Sequence, residues 1–397
     1  MSLLYYKPQE REAKVVNRSA SRHYYLDTWL LVPSLLLLIL GLVMVASASI
    51  TIAERQLAEP FYYFWRQLAY VLAGLLLGWG VLRTRIDHWQ ALGPGLLVLG
   101  VLLLLLVLVF GREVNGSTRW LSFGVVNVQP SELMKLFGVV FLAGYLVRRS
   151  EEVRSSMKGF FKPMILLGVI GVLLLLEPDF GAAAVIAITA MGMLFLGGVQ
   201  LRQFALLFVL MACSLGILAW SSPYRVQRLT SFLNPWADPF DSGFQLTQAL
   251  IAFGRGEWLG VGLGGSIQKL FYLPEAHTDF LFAVLAEELG LLGASVVIAL
   301  FAIIVLRAFM IGRAALYAGH QFAAYLSFGL GLLIGLQAFI NIGVNMGVLP
   351  TKGLTLPLMS YGGSSVVATC VAIAMLLRVA HEHRPQSKRG EPAGHGQ

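Results

Sequence analysis

The segment Tyr272-Leu273-Pro274-Glu275-Ala276-His277-Thr278-Asp279 places two acids and a histidine just ahead of a long apolar run. Asp279 would fall in the first turn of that helix, where unpaired backbone N–H groups and the helix dipole favour a carboxylate. Two roles suit this place: an ordinary helix-starting acid, or a general base beside a lipid-bounded cavity. His277 and Glu275 are the nearest groups that could act as a second acid or base. Glu287 and Glu288 follow, about 12–13 Å deeper at 1.5 Å per residue. That depth puts them in the hydrocarbon zone, where a carboxylate is costly and marks either a functional site or a structural ion pair. At 100° per residue Glu287 lies about 80° around the helix from Asp279, and Glu288 about 180°. The two should therefore meet different partners.

A second polar cluster runs Asn115-Gly116-Ser117-Thr118-Arg119-Trp120, followed by Gln129-Pro130-Ser131-Glu132 and Lys135. Pro130 with Ser131 reads as a helix start, and Glu132 and Lys135, three apart, share one face. That pair is either a structural latch or part of the chemistry. Arg119 could hold a phosphate while Trp120 packs on a lipid or sugar; equally, the two could be a snorkelling arginine in an interfacial aromatic belt. Arg225, Arg228, Arg255, Lys269 and Lys352 lie in connections on the same side. Such a mixture of carboxylates and cations suits a phosphate-bearing headgroup on a buried lipid tail. It does not distinguish moving such a lipid from joining two of them.

Three further patterns are set aside. Gly260-Val261-Gly262-Leu263-Gly264-Gly265 spells G-x-G-x-x-G without the strand that a nucleotide site needs, and reads as a tight-turned loop approaching the membrane. His381-Glu382-His383 offers too few ligands for a metal. Asn115-Gly116-Ser117 matches a glycosylation sequon by chance.

The elements that must position these residues are membrane helices. Of 397 residues 57% are hydrophobic and 13% charged, about half the ~25% charged of a soluble protein. Apolar runs of about 20 residues recur near 29–48, 67–82, 91–110, 131–147, 163–176, 180–199, 202–220, 279–306, 321–345 and 364–380. The expectation is an all-α polytopic membrane protein of ten transmembrane helices. This excludes a soluble enzyme, a disordered chain and a nucleic-acid binder, whatever the net charge of +8 suggests. The runs are continuous rather than alternating, which excludes an outer-membrane barrel. The first run is longer than the ~7–15 residues of a signal-peptide core. It reads as a retained helix despite Ala46-Ser47-Ala48. Gly331 and Gly335 should let helix backbones close together. Cys213 and Cys370 sit in apolar runs as small hydrophobes, outside any disulfide framework.

Lysines and arginines divide 19 to 9 between the two sides, which places both termini in the cytoplasm. The organisation is then a basic cytoplasmic tail (1–28), a membrane domain (29–380) with one large periplasmic loop (221–278), and a cytoplasmic tail (381–397). Loops beyond about 12–15 residues are usually functional or disordered. This one is too rich in aromatic residues and leucine for disorder, so function is expected on the outer face.

The runs NGSTRW (115–120), QPSE (129–132), EPDFG (177–181), YLPEAHTDF (272–280), AEELG (286–290), NMGVLPTKGLTLP (345–357) and SYGGSS (360–365) resemble the SEDS family. These are the shape, elongation, division and sporulation proteins of bacterial cell-wall synthesis. PEAHTDF and LPTKGLTLP are closer to the division branch than to the elongation branch. The resemblance implies the SEDS fold and a peptidoglycan glycosyltransferase that polymerises lipid II into β-1,4-linked glycan strands during septal wall synthesis. Undecaprenyl pyrophosphate would be the leaving group. It implies that Asp279 is catalytic, that Glu132 and Lys135 shape the central cavity, and that Arg119 with Trp120 joins the same groove. Lys352 of PTKG and Ser360 of SYGGSS fall in family motifs with less defined roles. A divalent cation, magnesium or manganese, could serve at the pyrophosphate. The implied partners are a class B penicillin-binding protein, FtsI, and the FtsQ–FtsL–FtsB complex, in the inner membrane at the septum. Two other readings stay open. A lipid II flippase should show repeat symmetry and helices broken near mid-membrane, and no internal repeat is evident. A non-catalytic scaffold would leave the polar outer residues without a purpose.

Overall fold

The computed structural model describes residues 26–114, 117–124, 126–200, 202–206, 208–209, 216, 232–241, 243–350 and 353–383. Arg225, Arg228, Lys352, Cys213, Asn115 and most of the expected span at 202–220 lie outside the described residues. Among the described residues eight helices are long and apolar enough to cross a bilayer. They are α1 (Thr28–Leu57), α2 (Tyr62–Arg83), α3 (Ile86–Phe110), α4 (Pro130–Arg148), α6 (Met157–Leu176), α9 (Leu281–Tyr317), α10 (Gln321–Asn345) and α11 (Gly363–Glu382). A shorter apolar helix, α7 (Phe180–Leu196), a surface turn α5 (Ser150–Ser155) and an amphipathic α8 (Phe244–Gly256) are also described.

Burial separates a central layer from an outer one. In α4, α10 and α11 between 72% and 83% of the most apolar stretch is buried, against 28–33% in α2, α3, α6 and α9. The inner three therefore pack mainly on protein, and the outer four present apolar faces suited to lipid. Glycines set the closest approaches. A Cβ on Gly331 would come within 2.9 Å of Ala308 Cβ, and one on Gly335 within 2.9 Å of Val305 Cγ2, both across the α9–α10 contact. Gly74 and Gly78 do the same for α2 against Cys370 and Ala374 of α11.

Two polar contacts tie α1 to α9. The buried Asp27 carboxylate, just ahead of α1, accepts three hydrogen bonds from Arg307 of α9 (2.7–3.0 Å). Further along α1 the Ser47 hydroxyl donates to Glu288 of α9 (2.7 Å). Asp27 to Ser47 is 20 residues and Arg307 to Glu288 is 19, so each helix rises about 30 Å between the contacts. The eighth span was expected as one helix from 279, whereas α9 starts at Leu281 and runs on to Tyr317.

α9 is broken just after Glu287 and Glu288. Gly290 has φ 66° and ψ −167°, outside helical space. The break frees backbone groups that lipid cannot satisfy. The loop after α8 supplies partners: Val261 and Gly262 N–H donate to the Glu287 and Glu288 carbonyls (3.0 Å each). Leu291 and Leu292 N–H donate to Glu257 and Trp258 O (2.9 and 3.2 Å). This is the work of the glycine-rich run. A Cβ on Gly256 would stand 2.0 Å from Ala286 O, and one on Gly260, whose φ is +79°, 2.1 Å from Glu288 O.

The connection after α3 departs from the all-helical pattern. It forms a three-stranded antiparallel sheet of β1 (Arg112–Val114), β2 (Ser117–Phe123) and β3 (Val126–Val128), with Arg112 opposite Trp120 and Leu121 opposite Val128. β2 carries Arg119 towards the α6–α7 junction. Replacement Gly260→Val should force the loop off the broken helix, at a cost of about 1–3 kcal/mol for the left-handed backbone alone. The expected outcome is a thermal unfolding midpoint several degrees lower in detergent; an unchanged midpoint would contradict this account of the break.

Candidate active site

Asp279 lies in the turn that leads into α9, and its main chain is held on two sides. Asn341 and Asn345, one turn apart on α10, each donate a side-chain N–H to the Asp279 carbonyl (2.9 Å each). Asn345 Oδ1 also accepts from Ala283 N (3.1 Å), satisfying one of the free donors at the start of α9. Asn341 further donates to Leu354 O. From the opposite side Tyr361 N–H donates to His277 O (3.0 Å). The turn is thereby stitched to α10 and to the 353–362 loop.

The side chain is treated differently. Among the described residues no donor hydrogen-bonds to the Asp279 carboxyl, which lies beside Gly353. A Cβ placed there would be 3.2 Å from Asp279 Oδ2 and 3.8 Å from Arg119 Nη1. Burial pushes the Asp279 carboxyl up to about 7; Glu275 and Asp179 add to the rise, and the Arg119 guanidinium opposes it. Such a carboxyl can both release and take a proton near neutral pH, as a general base requires.

Arg119 is anchored by the α6–α7 junction, donating through Nε to Glu177 O (3.4 Å) and through Nη2 to Pro178 O. Asp179 fixes that junction. Its Oδ1 accepts from Ala182 N (3.1 Å) as the N-cap of α7, and its Oδ2 accepts from Ser131 Oγ (2.8 Å) and Gln129 Nε2 (3.3 Å). The QPSE and EPDFG runs are thus one joint. Beneath it, Lys135 Nζ donates to Glu132 Oε1 and to Gln337 Oε1 of α10 (2.8 Å each). Gln337 Nε2 continues to Thr355 O (3.2 Å), whose side chain meets Ser365 Oγ (3.0 Å). Lys135 borders two cavities of the bundle interior, one of them also lined by Glu132, Gln337, Pro357 and Thr369.

His277 packs its ring against Tyr63 and Tyr361, with centroids 4.7 and 5.6 Å away. Burial pushes its imidazole below the usual range, with Glu275 opposing. Trp120 is partly buried on β2. Ser360 is buried and structural in its contacts: its Oγ accepts from Leu356 N (3.0 Å), closing a turn, and its carbonyl accepts from Gln67 Nε2 (3.0 Å).

The structure therefore brings Asp279, Arg119 and Asp179 together, with His277 close by in sequence and the Glu132–Lys135 pair on the joint below. Two expected cations point elsewhere. Lys269 Nζ donates to Glu288 Oε1 (2.8 Å) and Ser47 Oγ (2.9 Å). Arg255 Nη1 donates to Glu287 Oε1 (2.8 Å), and Glu287 also accepts from Ser266 Oγ and the Ile267 and Gln268 N–H groups. Glu287 and Glu288 do face different partners, and both are ion-paired. Among the described residues no three His, Cys, Asp or Glu side chains converge as a metal site requires. A divalent ion here would have to share its coordination with phosphate oxygens, as magnesium commonly does. Asp179, Gln337, Asn341 and Asn345 escaped reading from composition and spacing, although three amides inside an apolar run were a visible signal.

The family of cell cycle proteins grouping FtsW, RodA and SpoVE matches residues 28–385. The chain is 62% identical over 360 residues to the probable peptidoglycan glycosyltransferase FtsW of Nitrosococcus halophilus, covering 90% of this chain and 93% of that protein. It is 56% identical over 358 residues to the protein of the same description from Coxiella burnetii, covering 90% and 96%. Its fold is similar to a chain from a peptidoglycan synthase complex solved for the coordination of polymerization and crosslinking. That match has a TM-score of 0.76 and 29% identity, over 92% of this chain and all of that one. It is also similar to the rod shape determining protein RodA of Thermus thermophilus, with a TM-score of 0.66 and 28% identity over 91% and 98%.

The placement of Lys269 has a direct consequence. Lys269→Met leaves Glu288 buried without its cation, which should cost about 3–5 kcal/mol, and adding Glu288→Leu should restore most of that loss. Denaturation of the two variants in detergent would check this; equal stability of Lys269→Met and the parent would mean the pair holds nothing.

Proposed function

The chain belongs to the FtsW, RodA and SpoVE family of cell cycle proteins, and from that membership and the geometry above we propose that it is a peptidoglycan glycosyltransferase with Asp279 as general base. The observation that carries this reading is a carboxyl held through its main chain, without a donor among the described residues, and placed near an arginine. The substrates are lipid II as acceptor and a growing strand linked to undecaprenyl pyrophosphate as donor.

Asp279 takes the proton of the acceptor's 4-hydroxyl as that oxygen attacks the donor's anomeric carbon. The new carbon–oxygen bond forms as the bond to pyrophosphate breaks on the opposite face, so a β-1,4 linkage results with inversion. Pyrophosphate leaves as an anion and needs no general acid, unlike the alcohols released by inverting glycosidases, which require two carboxyl groups. The Nη1 edge of Arg119 faces the same space as Asp279 and would stabilise the charge growing on the leaving group. Trp120 and His277 would line the sugar path, and Lys352, Arg225 and Arg228 would extend the basic surface. Glu132, Lys135 and Ser360 act from below, by shaping the loop that carries Gly353.

We further propose that the protein spans the inner membrane at the division septum with ten crossings and both termini cytoplasmic, the Asp279 end facing the periplasm. Its partners there are a class B penicillin-binding protein, FtsI, and the FtsQ–FtsL–FtsB complex. The test is to supply lipid II to the detergent-solubilised protein with its penicillin-binding partner and to resolve the products on a gel. The wild type should give glycan ladders. A base contributes typically 10²–10⁴-fold, so Asp279→Asn should reduce the ladders by about that factor while still folding. Ladders of wild-type intensity from Asp279→Asn would overturn the assignment.

A further inference from the structure

Glu177 is fully buried, and among the described residues neither of its carboxyl oxygens has a hydrogen-bond partner. The other fully buried acids named above are all supplied with donors: Asp27 by Arg307, Asp179 by Ser131 and Gln129, Glu287 by Arg255 and Ser266, Glu288 by Lys269 and Ser47. Arg119 touches Glu177 and Pro178, but only through their main-chain carbonyls. Its Nη1 lies near the Asp279 carboxyl: a Cβ on Gly353 would be 3.8 Å from Nη1 and 3.2 Å from Asp279 Oδ2. One guanidinium therefore acts electrostatically on two carboxyl groups, one serving the chemistry and one with no evident use.

An ionised carboxylate sealed from water without donors is strongly disfavoured, and the ordinary outcome is that the group keeps its proton. With that proton, Glu177 makes no demand on Arg119. We propose that Glu177 is a positioning residue that works as the neutral acid: protonated, it leaves Arg119 directed at Asp279 and the leaving phosphate, and ionised, it draws the guanidinium to itself. Glu177 then sets the upper pH limit of the reaction. This inference rests on the glycosyltransferase reading. The step transfers one proton from Glu177 to water and breaks no other covalent bond; Arg119 keeps its charge and changes only its partner.

The surroundings support the assignment. Burial pushes the Glu177 carboxyl up to about 8, Asp179 adds to the rise, and Arg119 opposes it. Asp179, two residues along the same junction, and Arg119, from β2, are the charged groups acting on it. Asp279 must be ionised to accept a proton, so activity rises with pH through about 7. Glu177 must keep its proton, so activity falls with pH through about 8. The acid and alkaline limits of activity then belong to different residues.

Glu177→Gln fixes the neutral state in a side chain of nearly the same shape. Polymerisation of lipid II by the complex with the penicillin-binding partner is measured from acid to alkaline pH for the wild type and this variant. The expected result is that the variant loses the alkaline fall. Its rate relative to wild type then climbs about tenfold per pH unit once Glu177 would have ionised. A structural role for the carboxyl would not make the variant faster at high pH. Identical alkaline limbs would overturn the proposal. A second measurement needs no turnover: infrared difference spectra of the wild type should show the carbonyl band of a protonated buried acid that fades above about pH 8 and is missing in Glu177→Gln. Its absence from the wild type at neutral pH would equally overturn the proposal. If the wild type made no glycan at all, the glycosyltransferase reading would fail while the infrared result still decided the state of Glu177.

Discussion

A carboxylate that must receive a proton cannot be held in place by donors on its own oxygens, because each such bond stabilises the charge and lowers its basicity. Its position has to come from elsewhere. Here it comes from the peptide unit: the Asp279 carbonyl accepts from Asn341 and Asn345, the adjacent helix start is closed by Asn345 on Ala283, and the turn before it is tied by Tyr361 to His277. The carboxyl then projects beside Gly353, where burial and the charges of Glu275, Arg119 and Asp179 act on it. The absence of a Cβ at Gly353 keeps that space open. The joints through Gln337, Asn341 and Thr355 tie α10 and α4 to the 353–362 loop behind this turn.

Those joints are buried, and their energetic meaning differs from their number. An ion pair such as Lys269–Glu288 or Arg255–Glu287 adds little over a well-packed apolar pair, yet removing one member is strongly destabilising. Such pairs are therefore better read as registers than as glue. Lys269 and Ser47 meet at Glu288, so the loop after α8, α1 and α9 share one fixed point. The same place holds the break at Gly290, where the loop replaces lost helical hydrogen bonds.

Much of this was legible in the residues. Continuous apolar runs located the helices, 100° arithmetic separated the partners of Glu287 and Glu288, and the position of Asp279 before a helix marked it as a candidate. Gly331 and Gly335 were readable as contacts because small residues in a span have one common use. What stayed hidden has physical reasons. Charge along a chain does not reveal its partner, so Lys269 and Arg255 looked like headgroup ligands until their carboxylates were placed. An isolated glycine in a helical pattern is tolerated, so Gly290 gave no sign of the break. Asn341 and Asn345 were missed because an uncharged amide in an apolar run draws little notice, although it is well suited to binding a carbonyl without altering a nearby titration.

The rate of glycan polymerisation as a function of pH, for the wild type and for Arg119→Gln, tests the central claim most directly. If Asp279 is the base, the wild-type rate falls as pH drops through about 7. Because Arg119 favours the ionised carboxyl, its removal should move that fall to higher pH, beyond any change in the maximal rate. A wild-type rate that stays level down to the ordinary carboxylate range, or a fall that does not move when Arg119 is neutralised, would contradict the account.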